Sequence, residues 1–413
     1  MINKKPLLWI PSLYLCEALP YFAVMSIAGT MYKLLGLSNT ELALYTSWLY
    51  LPWVIKPLWS PFVAVIKTER WWVLLMQLLI SVGLAGVAFT LHTPFWLQAS
   101  LAFFWLLAFA SATHDIAADG LYILGLNTHD QSLYIGVRSL FYRIGSIFVQ
   151  GVLVTFAGFL ERSQTVPIAW SITFLVLAGI FIALRLWHGI SLPKVSQEKS
   201  HPSGFLNDFW IALKVFFTKP HIIPALLFML LFRFPEGQLV KIVNPFLLDS
   251  VEAGGLGLAT DDVGIIYGTI GAIGLIVGGL LGGWCVSRHG LKRWLWPMVL
   301  AISLPNLVYV YLASAVPQLA IVSVCVFIEQ FGYGFGFTAY MLYLVSFSKG
   351  ERSTAVFSIC TAFQALGMML PGMIAGWMAD YLGYLNFFWW VVACCLVTFA
   401  VTALVKLPEE KTT

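Results

Sequence analysis

Apolar side chains in this chain fall into blocks of about 20 residues or more, parted by short polar turns. Each block can cross a hydrocarbon core of roughly 30 Å. Twelve are read, at about 6–34, 40–66, 70–91, 95–124, 132–160, 166–187, 221–248, 262–287, 293–313, 317–346, 353–380 and 385–406. The first is too long for a signal-peptide core and lacks a small-residue cleavage site, so it is read as a span. The longest interval without an apolar run, about 188–206, holds Pro193, Lys194, Glu198, Lys199, His201 and Pro202 and parts the blocks six and six. After it, Phe205 to Phe217 mixes aromatic and polar residues at helical spacing and predicts a helix on the inner membrane surface. The pattern therefore predicts an all-α membrane protein with 12 transmembrane helices in two six-helix bundles. They occupy residues 1–190 and 219–413, joined by a cytoplasmic linker with an amphipathic segment at 191–218.

Composition agrees. The chain is 60% hydrophobic and 10% charged, against about 45–50% and 25% in soluble domains. The distribution of basic residues says more than the net charge of +4. Counted from a cytoplasmic N terminus, inner segments carry Lys4, Lys5, Lys67, Arg70, Lys194, Lys199, Lys214, Lys219, Arg288, Lys292, Arg293, Lys349, Arg352 and Lys406. Outer loops carry few bases, and the loop after the seventh span carries Asp249, Glu252, Asp261 and Asp262. This asymmetry places both termini in the cytoplasm.

Eleven ionisable side chains lie inside the spans: Glu17, Lys56, His114, Asp115, Asp119, Arg138, Arg143, Arg233, Glu236, Lys241 and Glu329. A charge in the hydrocarbon core costs at least ~2.5 kcal/mol, so such groups face protein or water and mark a pathway. Asp115 and Asp119 are four apart and share a helix face; the fifth span offers Arg138 and Arg143 at similar depth. Asp119 with Arg138 reads as a structural ion pair, and the deeper Asp115 as a carboxylate that trades partners. Glu17 lies roughly 16 Å along its helix, near the midplane. Arg233 and Glu236, three apart, share a face, and Glu329 is central in span ten. A carboxylate holds its proton more tightly in apolar surroundings and less tightly beside a cation. Alternation between the two is a basis for proton coupling through Asp115, Glu329, Glu236 and Glu17; a static pair of Arg233 with Glu236 or Glu329 is the other reading. Candidate solute contacts are the cations Lys56, Arg143 and Arg233, with Gln330. Tyr21, Trp53, Trp59 and Tyr142 either stack on a sugar face or pack the core.

Other chemistries find no support. The run Gly278 to Gly283 permits close helix approach; no GKS or GKT follows it, so it is not a nucleotide loop. No Walker, HExxH, GxSxG or zinc spacing is present. His114-Asp115 is the only candidate reactive pair, and neighbours on a helix point about 100° apart. Cys16, Cys285, Cys325, Cys360, Cys394 and Cys395 all lie in apolar segments without ligand spacing and read as core residues. The expectation is no enzyme, no cofactor, no metal and no nucleic acid; the partners are a small-molecule solute, protons and the lipid bilayer.

Several segments, in order, carry a family resemblance. In the N half they are Ala18-Leu-Pro20, Lys56-Pro-Leu-Trp-Ser-Pro61, Ser111-Ala-Thr-His-Asp-Ile-Ala-Ala-Asp119 and Tyr142-Arg-Ile-Gly145. In the C half they are Phe232-Arg-Phe-Pro-Glu-Gly237, Gly278 to Gly283 with the Arg288 turn, Phe327-Ile-Glu-Gln330 and Pro371-Gly-Met-Ile-Ala-Gly-Trp377. From Glu17 to about Tyr384 the chain resembles AmpG-like permeases of the major facilitator superfamily. The halves echo each other in layout, Glu17 near Pro20 against Glu236 beside Pro235, as parallel repeats around a midplane site do. The resemblance implies proton-coupled import of muropeptides (GlcNAc-anhydroMurNAc peptides) by alternating access, as a monomer in a bacterial inner (cytoplasmic) membrane. It implies polar cavity roles for Lys56, Asp115, Asp119, Arg143, Glu236 and Glu329. Relatives with this layout make a siderophore, acetyl-CoA or another anionic solute the alternative cargo; a membrane-embedded acyltransferase or a receptor is the remote alternative. The chain departs from the family pattern at Ala18, where Gly is common, at His114, where Gln is frequent, and at Ser287, where facilitators commonly put Asp. It also departs at Ser60-Pro-Phe-Val-Ala-Val, where the family has an acid and a basic cluster after the second span.

Overall fold

A computed structural model describes residues 5–195, 202–350 and 352–407. Lys4, Glu198, Lys199 and His201, named above, lie outside the described residues. All regular structure among the described residues is helical. Among the described residues eleven helices are long and apolar enough to cross a membrane: α1 (Pro6–Leu34), α3 (Glu69–Thr90), α4 (Trp96–Gly125), α5 (His129–Glu161), α6 (Val166–Ser191), α7 (Ile222–Leu248), α8 (Thr260–His289), α9 (Leu291–Ala315), α10 (Leu319–Ser348), α11 (Ser353–Leu382) and α12 (Tyr384–Leu404). The apolar block between α1 and α3 forms α2, a pair of helices, Asn39–Trp48 and Leu51–Ile66. Pro52 explains the break: it has no N–H, and its ring clashes with the carbonyl four residues earlier, that of Trp48. A further helix, Pro202–Phe217, precedes α7.

Local sequence sets these boundaries. Ser38 and Glu41 form a capping box at the start of α2, and Thr68 caps α3 by accepting from Trp71 N–H. α7 is interrupted at Phe232 and Arg233, and Pro235 opens its second half. Neighbouring helices meet the carbonyls near that break: Thr398 Oγ1 donates to Phe232 O at 2.9 Å and Tyr340 OH to Met229 O at 2.7 Å. π-helical stretches widen α1 at Ala23–Ile27, α5 at Phe148–Leu153 and α8 at Gly264–Gly271, a feature frequent at functional sites. Lys219 Nζ donates to Phe347 O and Lys349 O at the carbonyl end of α10, 2.7 Å each. Desolvation there lowers the pKa of its ammonium below the usual lysine value.

The chain packs as two compact units. The first comprises residues up to Met31 together with Ile55–Asp208; the second comprises Tyr32–Val54 together with residues from Phe209 onward. In the first, α3 lies along α4 and α6, and α1 along α5 and α4. In the second, α10 is held between α8 and α9, while α11 packs on α7 and on Asn39–Trp48. Glycine makes these approaches possible. Gly274, Gly278 and Gly282 of α8 meet the backbone of Phe327, Phe331 and Phe335, whereas Gly332 and Gly336 of α10 meet carbonyls of Ala301 and Met298 in α9. Polar bonds tie Tyr32–Val54 into the second unit: Lys33 Nζ lies 2.8 Å from Asp249 Oδ2, and Asp380 accepts from Thr40 N–H and Oγ1 at 2.8 and 2.6 Å. Apolar residues such as Phe89, Phe159, Leu280 and Leu396 are exposed on helices of both units, as a surface facing lipid requires.

Candidate functional site

The charged residues gather in two clusters, one in each unit. In the first unit, α4 buries Ser111 to Asp115. Lys56 Nζ of α2 lies 3.6 Å from Asp115 Oδ2. Arg138 of α5 reaches Asp119 Oδ1 at 2.8 Å; that oxygen also accepts from Tyr14 OH at 3.2 Å, and the guanidinium lies 4.4 Å from the Tyr14 ring centroid. The Asp119–Arg138 contact is thus tight and held from α1, whereas Lys56–Asp115 is longer than a hydrogen bond. Glu17 sits in electrostatic reach of Asp119, Asp115, Arg138 and Lys56. Its Oε2 is buried without a hydrogen-bond partner among the described residues. Arg143 is half-buried and forms no ion pair among the described residues. The ring of Phe22 lies between Tyr21, at 5.1 Å, and Tyr142, at 5.9 Å. Trp59 donates its indole N–H to Thr113 Oγ1 at 3.2 Å, and Trp53 is half-buried on α2.

A second polar chain crosses the same unit. Ser12 Oγ is 2.9 Å from His188 Nε2, and Gln77 Nε2 is 2.8 Å from His188 Nδ1 and 3.1 Å from His114 Nε2. With the amide nitrogen between the two rings, Gln77 donates to both. That assignment makes both imidazoles neutral, with His114 protonated on Nδ1 and His188 on Nε2.

In the second unit the break in α7 presents Arg233. Its Nε and Nη2 donate to the two Glu236 oxygens at 2.9 and 2.5 Å, and Nη2 also to Tyr333 OH at 2.7 Å. Glu329 Oε2 accepts from Tyr309 OH and Gln330 Nε2, both at 3.0 Å. Glu236 and Glu329 line one small cavity, of ≈ 10 Å³, together with Ser303, Asn306, Tyr333 and Thr398; that is room for about one water. Lys241 is buried, donates to Thr46 Oγ1 at 3.0 Å and lies 5.0 Å from the Tyr50 ring centroid. No carboxylate pairs with it among the described residues.

Residues 229–413 match the family profile described as Major Facilitator Superfamily. A putative transporter, AmpG 4, from Rickettsia conorii is 26% identical over 381 residues, 87% of each chain. An anhydromuropeptide permease from Escherichia coli (strain K12) is 24% identical over 376 residues, 89% of this chain and 74% of that protein. The crystal structure of the nucleoside transporter NupG aligns with a TM-score of 0.73 at 18% identity, over 99% of this chain and all of that one (100%). The chain has the major facilitator fold, and its residues 229–413 are similar to the superfamily's profile. The eleven apolar helices and these similarities support a multi-pass membrane protein that transports a small-molecule solute.

The facilitator fold brings Glu17, Lys56, Asp115, Asp119 and Arg138 into one cluster and Arg233, Glu236, Glu329 and Gln330 into another. Among the described residues it does not join Arg143 to an acid, nor Glu329 to Arg233. Lys241 was legible as one of the embedded charges, but the sequence assigned no role to Ser12, Gln77, His188, Ser303, Asn306 or Tyr309. Apart from His188 these carry no charge, so charges inside apolar blocks do not point to them. Gln77 in the middle of α3 and His188 near the end of α6 were the available signals.

Proposed function

We propose that this facilitator imports muropeptides, GlcNAc-anhydroMurNAc peptides, with protons across a bacterial inner membrane, as a monomer with both termini in the cytoplasm. Similarity to the anhydromuropeptide permease over 89% of the chain supports the cargo. In this reading Asp115 and Glu329 carry the proton, and Glu236 and Glu17 are the acids that share it. Lys56, Arg143 and Arg233 meet the solute's carboxylates. Tyr21, Trp53, Trp59 and Tyr142 offer ring faces to its sugars, and Gln330 orients Glu329. The observation that carries the coupling is in the second unit: Glu329 and Glu236 line one cavity, Glu329 held by the neutral donors Tyr309 and Gln330 and Glu236 by the guanidinium of Arg233. A carboxylate held by neutral donors can take up a proton without giving up a cation; one paired to an arginine must release that cation to do so.

The test is uptake into vesicles containing the purified protein. Asp115→Asn and Glu329→Gln should each abolish accumulation driven by a pH gradient while leaving counterflow exchange of muropeptide in place. Both variants still concentrating solute would overturn the coupling. Counterflow with a ferric siderophore but not with muropeptide would overturn the cargo.

A further inference from the structure

The cavity of the second unit has acids from two different helices, Glu236 from α7 and Glu329 from α10. α9 lines the same cavity: it tightens into a 3₁₀ turn at Leu304–Asn306 and contributes Ser303 and Asn306 from either side of Pro305. The protein already occupies most polar atoms around this space. Both Glu236 oxygens bind Arg233, and Glu329 Oε2 accepts two donors. Thr398 is spent on Phe232 O, and Asn306 turns its Nδ2 to Cys395 Sγ at 3.5 Å. Ser303 is different. It is 3% exposed, and its buried Oγ has no hydrogen-bond partner among the described residues. A buried hydroxyl beside a polar cavity is ordinarily satisfied by water, which makes about three hydrogen bonds to such groups.

We propose that this cavity binds a water that links Glu329 to Glu236, and that Ser303 and Asn306 position it as an internal proton path. The proposal rests on the proton-coupled reading and adds the route. The proton on the Glu329 carboxyl passes to the water as the water gives one of its own to Glu236. Tyr309 and Gln330 receive the carboxylate left at Glu329. Glu236, now a neutral acid, loses its grip on Arg233, which keeps Tyr333. Proton arrival thus releases a guanidinium. The other groups that face the path are Tyr267 of α8, bonded to Gln330, and Cys395 of α12, bonded to Asn306. Ser303 and Asn306 are positioning residues in this scheme, since neither holds the proton.

Infrared spectroscopy of the purified protein, acidified until Glu329 is protonated, tests the water without any solute. The carboxyl band lost in Glu329→Gln identifies Glu329; in Ser303→Ala it should shift, because the water is no longer anchored, and Ser303→Thr should restore it. A band unmoved by Ser303→Ala overturns the bridging water. In vesicles, Ser303→Ala should slow muropeptide accumulation driven by a pH gradient about tenfold and leave counterflow within about twofold, a split that follows from losing one step of the proton path and not the solute site. Equal loss of both rates in Ser303→Ala and Ser303→Thr marks the serine as a packing residue and sinks the route. Should Glu329→Gln itself still accumulate solute, the coupled reading has failed; should only Ser303→Ala behave as wild type, the relay alone has failed.

Discussion

Burial decides what each ion pair contributes. The Arg233 and Glu236 side chains are 7% and 11% exposed, whereas those of Arg138 and Asp119 are 32% and 41% exposed. Removing one partner of a buried pair leaves an uncompensated charge and costs about 3–5 kcal/mol, while an accessible pair is worth about 1 kcal/mol or less. Arg233→Met should therefore lower stability by about 3 kcal/mol, the double variant Arg233→Met/Glu236→Met should recover most of it, and Arg138→Met should cost about 1 kcal/mol. Unfolding of the purified variants in one detergent measures all three, and equal losses for Arg233→Met and Arg138→Met would contradict the argument. The Arg233–Glu236 pair was legible because its members are three apart on one helix. Lys56 with Asp115 was only partly legible: the sequence gives their depth but not which cation of another helix each acid meets. The Tyr309 bond to Glu329 and the Gln77 bridge between His114 and His188 depend on how separate helices are rotated, which apolar blocks do not record.

At the scale of helices, the twelve apolar blocks are the part of the fold the sequence states most directly, because a span must be long and oily wherever it packs. Two features were not legible from block length alone: the interruption of α2 at Leu49 and Tyr50, and the division of that block at Val54, up to which it packs with the second unit. The glycines were legible as a class and not one by one. Within Gly278 to Gly283, an added Cβ on Gly278 would lie 2.9 Å from Phe335 N, and one on Gly282 would lie 3.0 Å from Phe335 O. On Gly279 the nearest atom is 3.7 Å away, and on Gly283 nothing lies within 4 Å. Gly278→Ala should thus force α8 from α10 and cost about 1–3 kcal/mol, as overpacking does. Gly283→Ala should be neutral or stabilise by up to about 1 kcal/mol, since alanine costs less chain entropy in a helix than glycine. Melting temperatures of the two variants in one detergent make the comparison, and a reversed order would mean that α8 and α10 do not meet along this face.

For the molecule as a whole, the charges singled out well inside the spans balance within each unit, with Arg185, near the end of α6 and bonded to Leu74 O, outside both sets. The first holds Glu17, Asp115 and Asp119 against Lys56, Arg138 and Arg143; the second holds Glu236 and Glu329 against Arg233 and Lys241. With every group ionised, both sets sum to zero. A solute with one net negative charge would unbalance whichever set receives it, and one added proton would restore neutrality. Charge in low dielectric is costly, so the state that holds solute and proton together is favoured over either alone. The balance thus ties proton number to solute charge: one proton for a singly anionic solute, and no net charge moved per cycle. A membrane potential of 100 mV is worth about 2.3 kcal/mol per charge moved, roughly 50-fold in accumulation. For a singly anionic muropeptide, accumulation in vesicles should follow an imposed pH gradient and be unchanged by an imposed potassium potential. An analogue with that charge neutralised, carried with the same proton, should gain up to about 50-fold from an inside-negative potential. A singly anionic solute whose accumulation tracks the potential would show that charge leaves the balanced sets during transport, and that the proton count is set by something other than neutrality within each unit.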